Sequence, residues 1–454
     1  MAVSDPIVEA DFAAWRQALD QDAPGFFAAK GGGPAFIARA PGRLDVMGGV
    51  ADYSGSLVAE MPLAQAAVVG AQTADGDVTV RSANAAAENF AAEVTLPSRA
   101  FVNPVSLHKY LFDGPREARW AGYAAGCVAL LRAEGLIPRT AGARLFVRST
   151  VPLGAGVSSS AAVEVAAMRA IAAAYQTELD GLTLARLCQR VENEVLDAPC
   201  GIMDQVTSAL GEGGKLLALL CQPYQVQGTV ALPAGWSVFG MDSAVKHSVG
   251  GSAYTKARVA AFMGYKMLAD RAGNGFGGYL CNCSPDEYRG LYPDGLPEKM
   301  SGAVFLGAHG GIFDDVTTVQ PGETYDVRAC TEHAILENAR VGRFLDDLKD
   351  GSDEKMADAG AQMLAAHESY SACGLGSAET DLLVELARAQ GPAVAGARIT
   401  GGGSGGTVGI LCRADHEERL ARTVAEEYEK RTGRAPRIIR GTSPGALATP
   451  VRQM

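Results

Sequence analysis

The segment from Ala143 to Tyr175 limits the possible folds of this chain more than any other. Ala143–Ser149 (ARLFVRS) alternates apolar and polar residues, as a β-strand does. It leads into a glycine-rich segment, Pro152–Ala162 (PLGAGVSSSAA), and then into Ala161–Tyr175, where Ala, Met and Val recur at helical spacing. This order of strand, glycine loop and helix predicts backbone N–H donors for an anion at the start of the helix.

The loop has the residue types that phosphate binding requires. Gly154 and Gly156 allow the backbone to approach an anion closely, and serines 158–160 supply hydroxyls for phosphate or Mg²⁺. The alternative is a serine N-cap on an alanine-rich helix, and the loop alone leaves both interpretations open. The residues predicted to contact phosphate are Gly154, Ala155, Gly156, Val157, Ser158, Ser159 and Ser160.

Several function classes are disfavoured. The motifs GxxxxGK[ST], HRD and DFG are absent, and no GxGxxG joins a predicted strand to a predicted helix, so the chain resembles neither a P-loop protein, a dinucleotide-binding protein nor a protein kinase. A net charge of −11 argues against nucleic acid or an anionic membrane as the main partner. No secretory signal is recognised, and the most apolar stretch, Ala121–Leu131, is too short to span a bilayer. We therefore expect a soluble, cytoplasmic protein, with its nine irregularly spaced cysteines reduced.

A length of 454 residues suggests two domains, and the remaining patterns interleave strands and helices, which indicates a mixed α and β class. A turn is expected at Pro41–Gly42. The other predicted strands are Ala35–Ala40, Val78–Arg81, Trp236–Asp242, Ala397–Thr400 and Val408–Cys412. The other predicted helices are Arg116–Glu134, Leu182–Val195, Val259–Ala272 and Ala329–Lys349.

Three separated segments together resemble the signatures of the GHMP small-molecule kinases. They are Ala40–Tyr53 (APGRLDVMGGVADY), Pro152–Ala166 (PLGAGVSSSAAVEVA) and Gly396–Gly406 (GARITGGGSGG). Pro199–Gln205 (PCGIMDQ) and Lys246–Tyr254 (KHSVGGSAY) are similar to segments of the galactokinase branch. The resemblance covers nearly the whole chain and implies an ATP-dependent sugar 1-kinase.

One departure from that branch concerns the sugar. Galactokinases usually read Gly-Glu-His-Thr-Asp-Tyr where this chain reads Gly48-Gly49-Val50-Ala51-Asp52-Tyr53. The Glu, which in the family partners the sugar's C6 hydroxyl, is missing, and GGVADYSGSLV resembles the L-arabinokinases. A hydroxyl buried without its partner costs about 1–3 kcal/mol, which favours a pentose. The preference would not be absolute, because glycine is expected to leave room for a water at Gly49.

The resemblance also implies roles for individual residues. Asp204 is expected to act as the base for the anomeric hydroxyl, with Arg43 beside it. Glu192 is expected to hold Mg²⁺ together with Ser159 or Ser160. The predicted sugar contacts are Asp52, Gly49, Gly201 and Tyr254. Gly401, Gly402, Gly403 and Gly405 are expected to support the site from the second domain.

The implied architecture is an α+β, two-domain GHMP kinase fold. A ribosomal-protein-S5-like domain is expected over residues 1–225, which bind ATP phosphates and sugar, and a ferredoxin-like domain over residues 226–454. ATP and Mg²⁺ are the implied cofactors and a small sugar is the implied partner. Three alternatives stay open: L-arabinokinase, galactokinase, and a non-catalytic sugar sensor. The choice between monomer and homodimer is also open.

Overall fold

The computed structural model describes residues 5–27, 33–245 and 252–454. Its strands are β1 (Phe36–Met47), β2 (Leu57–Asp75), β3 (Val78–Ser82), β4 (Glu93–Leu96), β5 (Ala141–Ser149), β6 (Lys215–Leu220), β7 (Gln225–Ala231), β8 (Trp236–Asp242), β9 (Met300–Ser301), β10 (Thr324–Tyr325), β11 (Val394–Ile399), β12 (Thr407–Arg413), β13 (Arg437–Ile439) and β14 (Arg452–Gln453). Its α-helices are α1 (Pro6–Asp22), α2 (Pro104–Asp113), α3 (Gly122–Ala133), α4 (Ser159–Ala174), α5 (Gly181–Arg190), α6 (Met203–Leu210), α7 (Ser252–Ala272), α8 (Pro285–Leu291), α9 (Gly302–His309), α10 (Val327–Asp350), α11 (Asp353–Ala372), α12 (Ala378–Arg388) and α13 (Glu417–Thr432).

The mixed α and β class is confirmed, and every strand and helix predicted from periodicity lies on an element of the same type, apart from two helices that are not α-helical throughout. The segment predicted as one helix at 182–195 ends in a π-helical turn, Val191–Val195. The segment predicted as one helix at 116–134 begins as a 3₁₀ helix, Arg116–Ala121, before α3. The turn predicted at Pro41–Gly42 is wrong, because β1 runs through it with a register shift between Pro41 and Arg43. A β-bulge accommodates a proline within a strand.

Two sheets organise the fold. The larger one has the order β14-β1-β2-β5-β3-β4, and β6 pairs with β2 and β7 with β6. Its pairs are antiparallel except β3 with β5. The second sheet has the order β11-β12-β8-β13 and is antiparallel throughout. Helices cover both sheets, with α4 packed on β1 and β2 and α11 packed on β11.

The main apolar core lies between the larger sheet and the helices that follow β4. Alanines and valines dominate the inner face of α4, including Ala162, Val165 and Ala166, which are fully buried. Small side chains let this helix approach the sheet closely, which brings the loop before α4 next to β1. The apolar pattern of α4 therefore positions the glycine loop as well as filling the core.

The division at residues 225 and 226 stays a prediction. In the sheets, β7 pairs with β6 and the short β14 returns from the end of the chain to pair with β1, so both belong to the larger sheet. Within the described residues, no helix is both long enough and apolar enough to cross a membrane. All nine cysteines are free thiols.

Candidate active site

One pocket gathers most of the residues that the sequence singles out. It lies where β1, the loop before α4, the start of α6 and the loop after β11 meet. The predicted site residues that line it are Arg43, Asp52, Gly154, Gly156, Val157, Ser158, Ser159, Ser160, Glu192, Gly201, Asp204, Tyr254, Gly401 and Gly402. The pocket lining does not include the other predicted residues, Ala155, Gly49, Gly403 and Gly405.

Arg43 and Asp204 form the central pair of the pocket. The bulge in β1 precedes Arg43, and Asp204 lies in the first turn of α6. Nε and Nη2 of Arg43 both donate to Oδ1 of Asp204, at 2.9 and 2.6 Å, and Nη1 donates to the Gly156 carbonyl at 2.9 Å. Two charge-assisted bonds to one oxygen fix the carboxylate against the loop.

Glu60 lies on the other side of the same guanidinium. Its carboxylate is fully buried, with Oε2 3.1 Å from Nε of Arg43. Burial by itself lowers the pKa of Arg43, but Asp204 and Glu60 outweigh it and raise that pKa above its usual value. Burial also raises the pKa of Glu60 well above its usual range. Arg43 is therefore a permanent positive charge at the wall of an acidic pocket.

The glycine loop takes the backbone conformation that its sequence suggests. Gly154 and Gly156 have φ of 71° and 73°, in the left-handed region that glycine adopts without strain. Ser158 occupies the N-cap position of α4, but among the described residues its side chain forms no capping bond. Instead its hydroxyl donates to Oδ2 of Asp204 at 2.6 Å. The simple N-cap interpretation is therefore wrong, because the hydroxyl serves the pocket and not the helix.

The third glycine segment supports this loop from the second sheet. The Thr407 hydroxyl donates to the Ala155 carbonyl at 2.7 Å, and the Thr400 hydroxyl donates to the Gly156 carbonyl at 3.4 Å. Gly401 has φ of 64°, and a β-carbon there would lie 2.5 Å from the Gly156 oxygen. Glycine is required at this position both by the conformation and by the close approach.

Glu192 is a buried carboxylate with an oxygen-rich neighbourhood. It lies in a π-helical turn, Val191–Val195, and is 3% exposed. Burial and then the charge of Asp204 raise the pKa of Glu192 to about 7, against a hydrogen bond from Ser160 that lowers it. The amide of Gln205 donates to Glu192 at 3.4 Å. A cation at this point would relieve the cost of the buried charge.

The oxygen atoms of Glu192 and Ser160 are suitable ligands for Mg²⁺, which prefers oxygen ligands and retains several waters. Glu192 and the Ser160 hydroxyl, which bond to each other, would hold it at the edge of the phosphate loop. Among the described residues, no group of three or more His, Cys, Asp or Glu side chains forms a metal site.

Asp52 marks the opposite end of the pocket. It is 4% exposed, and its Oδ1 finds no hydrogen-bond partner among the described residues. Burial and the nearby Asp204 raise the pKa of Asp52 to about 6. A β-carbon at Gly201 would overlap the Asp52 carboxylate, so glycine is required beside it. The Tyr254 ring meets Tyr53 edge-on, with centroids 5.9 Å apart. A buried acceptor without a partner can bind a ligand hydroxyl.

Family comparisons agree with this arrangement. The family model named GHMP kinases N terminal domain matches residues 122–212. The family model named GHMP kinases C terminal matches residues 346–430. A galactokinase galactose-binding signature matches residues 25–73. A galactokinase of Streptomyces coelicolor is 30% identical over 90% of this chain and 92% of its own. The chain belongs to the GHMP kinase family. Within that family it lies in the galactokinase branch of sugar kinases.

Another relative is the L-arabinokinase of Arabidopsis thaliana, which is 39% identical over 90% of this chain. The match covers only 46% of that relative, so this chain spans about half its length. Among solved structures, the galactokinase of Lactococcus lactis complexed with galactose superposes with a TM-score of 0.74 at 20% identity, covering 96% and 98% of the two chains. The Methanococcus jannaschii mevalonate kinase superposes with a TM-score of 0.52 at 15% identity, covering 89% and 96%. These superpositions confirm the GHMP kinase fold.

Gly49 differs from the expectation drawn from the family motif. A β-carbon at Gly49 would overlap the Asp45 carboxylate and the Tyr370 hydroxyl, so the glycine leaves no room on that side. The expected space for a water is therefore absent within the described structure. Val50, the next residue, lines the pocket instead. The departure from the family motif at positions 49–51 identifies this segment, but it does not show that Val50 and not Gly49 lines the pocket.

Motif reasoning missed several residues of this GHMP kinase site. Pocket-lining Val50, Ala198, Pro199, Cys200 and Met203 went unassigned, although three of them lie inside the PCGIMDQ motif. Arg258 was also missed. It donates to the carbonyls of Pro199 and Cys200 and forms a buried pair with Asp314 at 2.7 and 2.8 Å. An arginine in an otherwise apolar stretch of α7 (ARVAAF) was the available signal.

The Lys246–Tyr254 segment ends in the first turn of α7. Its residues 246–251, including His247, lie outside the described residues. Tyr254 is described and lines the pocket on α7. Tyr254 therefore reaches the pocket from the first turn of α7.

Proposed function

We propose that this sugar kinase transfers the γ-phosphoryl group of ATP to the anomeric hydroxyl of L-arabinose, giving L-arabinose 1-phosphate and ADP, in the cytoplasm. The observation that carries the choice of sugar is the 39% identity to a plant L-arabinokinase, against 30% to the S. coelicolor galactokinase. The departure at Gly49 supports the same choice, because galactokinases usually have Glu at this position and this chain lacks that side chain as a partner for a C6 hydroxyl.

Asp204 accepts the proton of the anomeric hydroxyl in this mechanism. Arg43 and the Ser158 hydroxyl hold its two oxygens, so the carboxylate is oriented before substrate arrives. The same guanidinium lies beside the Gly156 carbonyl, close enough to the loop to stabilise negative charge that develops on the phosphoryl group. Phosphoryl transfer depends on such positioning and charge stabilisation more than on covalent catalysis.

The two ends of the pocket bind the two substrates. The backbone of residues 154–160 binds the phosphates of ATP at the N-terminus of α4. Glu192 and Ser160 would hold Mg²⁺, which would supply charge neutralisation to the phosphates. At the other end, the unpartnered Oδ1 of Asp52 accepts hydrogen bonds from ring hydroxyls. Gly201 leaves space for the Asp52 carboxylate, and Tyr254 forms part of the wall.

Galactokinase is the second candidate, favoured by the match of residues 25–73 to a galactokinase galactose-binding signature. Both candidate activities transfer a phosphoryl group to an anomeric hydroxyl, and they differ only in the sugar that is preferred. A non-catalytic sugar sensor has less support, since Arg43 and Ser158 both donate to Asp204 and all three loop serines are present.

A sugar panel tests the proposal. Purified protein is incubated with Mg²⁺–ATP and L-arabinose, D-galactose or other aldoses, ADP release is followed, and the product is identified by phosphorus NMR. We expect L-arabinose to have the highest kcat/KM and to give an anomeric phosphate. A higher kcat/KM for D-galactose would overturn the choice of sugar, and no turnover with any aldose would overturn the kinase reaction.

A further inference from the structure

Val50 has a backbone conformation that its side chain disfavours. Its φ is 58°, in the left-handed region, where a β-branched residue is a true outlier. The other non-glycine residues with positive φ in the described chain are Asn89, Ser158, Gln176, Asp197, Ala244, Phe276 and Ser404, and none of them is β-branched. Glycine, asparagine or histidine would occupy this conformation with less strain. Valine at position 50 therefore carries a cost that another residue would avoid.

The surrounding structure imposes this conformation. The Gly49 N–H donates to Asp45 at 3.2 Å, and the Gly49 carbonyl bonds to the His333 ring at 3.1 Å. On the other side, the Ala51 carbonyl accepts the N–H groups of Ser54 and Ser56 at 3.0 and 3.2 Å. Both neighbours of Val50 are thus fixed in place. Strain that persists in so constrained a segment often marks a functional site.

The side chain of Val50 lies between the core and the pocket. It is 3% exposed and belongs to an apolar cluster with Tyr370, Leu375 and Ile399. It also lines the pocket that contains Asp52, two residues further along the chain. An apolar wall thus stands next to the carboxylate that binds ring hydroxyls. A hydroxyl directed at this wall would lose its hydrogen bonds on binding.

The chemistry of a pyranose ring fits this pattern. In an aldopentopyranose, C5 is a methylene group without a hydroxyl, while in an aldohexose the same carbon carries a hydroxymethyl group. We propose that Val50 is a specificity-determining residue, whose isopropyl group packs against the C5 methylene of the pentose and excludes the hydroxymethyl group of a hexose. This inference rests on the proposed L-arabinose kinase activity. Position 49 cannot serve the same purpose, because Asp45 and Tyr370 already fill the space beside it.

Substitution of Val50 tests the assignment. Val50→Ala removes the two methyl groups that form the wall. We expect the ratio of kcat/KM for D-galactose to that for L-arabinose to rise about tenfold or more, the effect of small changes in apolar contact. Val50→Asn relieves the backbone strain and places a polar group in the pocket. We expect a similar loss of pentose preference, measured by the same ratio.

Gln176→Asn is the matched control. Gln176 has φ of 56°, is exposed after α4, and does not line the pocket. The control also relieves a left-handed conformation, so a gain in Tm is expected without any change in the ratio. A ratio that moves equally in the control and in Val50→Asn would overturn the assignment.

The outcomes separate this inference from the proposed function. Wild-type protein that prefers D-galactose overturns the proposed sugar. Wild-type protein that prefers L-arabinose, with the same preference in Val50→Ala and Val50→Asn, leaves the proposed function intact and overturns the role of Val50. If Val50→Ala does not fold, Val50→Asn decides alone, because it favours the observed backbone conformation.

Discussion

Two arginine–carboxylate pairs begin from β1, at positions two residues apart. Arg43 pairs with Asp204 at the wall of the pocket, where Asp204 keeps 22% of its side chain exposed. Asp45 pairs with Arg398, and both side chains are fully buried. The two pairs thus use the same chemical groups in different surroundings.

In the buried pair, both oxygens of the Asp45 carboxylate accept hydrogen bonds. Arg398 donates to both oxygens of Asp45 at 3.0 and 3.4 Å. The N–H groups of Gly49 and Gly401 donate at 3.2 and 3.1 Å, and the Tyr370 hydroxyl donates at 3.3 Å. Burial raises the pKa of Asp45, but Arg398 and these bonds outweigh it, and the pKa lies below its usual value. This pair holds the segment at Gly49 against the third glycine segment.

The pocket pair is held by fewer groups and has an open side. Asp204 accepts from Arg43 on one oxygen and from Ser158 on the other, and its remaining surface faces the pocket. The exposure of the carboxylate therefore distinguishes the two pairs: Asp204 is partly exposed to the pocket and Asp45 is not exposed. A sealed pair joins two parts of the fold, while an open pair remains available to a substrate.

Asp204→Asn should have the largest effect. The amide cannot accept the anomeric proton, so kcat should fall by about 10²–10⁴-fold, the range for loss of a general base. The side chain keeps its shape, so ATP affinity measured by calorimetry should persist. Asp180→Asn, an exposed N-cap of α5, is the control and should retain wild-type kcat. Near-normal turnover in Asp204→Asn would remove Asp204 from this role.

Arg398→Met should have the next largest effect, on stability. It leaves the Asp45 carboxylate buried without a counter-charge, which costs about 3–5 kcal/mol in the free energy of unfolding. Chemical denaturation measures the loss. The double variant Asp45→Asn/Arg398→Met removes the unpaired charge and should recover much of it. A double variant as unstable as Arg398→Met alone would contradict the view of a buried charge pair.

Gly49→Ala should have a smaller effect at the same buried pair. The added methyl group overlaps Asp45 and Tyr370, and overpacking of this kind costs about 1–3 kcal/mol. Gly342→Ala on α10 is the control, because a β-carbon there meets open space. The expected result is a lower Tm for Gly49→Ala and an unchanged or higher Tm for Gly342→Ala. Equal stability of the two variants would show that position 49 has room after all.

The smallest expected effect is a pH dependence at Asp52. Its pKa is raised to about 6, so the carboxylate loses its acceptor function as pH falls through that value. The kcat/KM for sugar should fall about fivefold between pH 6 and pH 5. Glu192, with a pKa of about 7, titrates nearby, so the profile of wild type is compared with that of Asp52→Asn. Identical profiles would exclude Asp52 as the cause.

Stability should change in the opposite direction. The folded-state pKa of Asp52 is higher than its usual value, so its contribution to stability is present at low pH and is lost as pH rises through about 6. At pH 7 the Asp52→Asn variant should therefore be at least as stable as wild type while binding sugar more weakly. Thermal unfolding at pH 5 and pH 7 measures the difference.

Local sequence signals predicted much of the fold and the presence of the glycine loop in the pocket. The strand and helix around the glycine loop were predictable because their periodicity is set by which face is buried. The positions of Gly154, Gly156 and Ser158 followed because phosphate binding needs small residues and hydroxyls at a helix start. The turn predicted at Pro41–Gly42 failed because a bulge lets a strand continue through a proline.

The family could be identified from the sequence alone, and so could the presence of the glycine loop, Arg43 and Asp204 at the site, because these residues lie in contiguous motifs. Only the tertiary structure decided that Asp45 meets Arg398, 353 positions away, and that this pair closes the space beside Gly49. It also decided that Val50 faces the pocket in a strained conformation. A local pattern records residue types and spacing. Which side chain faces the pocket depends on backbone angles and on packing between distant segments.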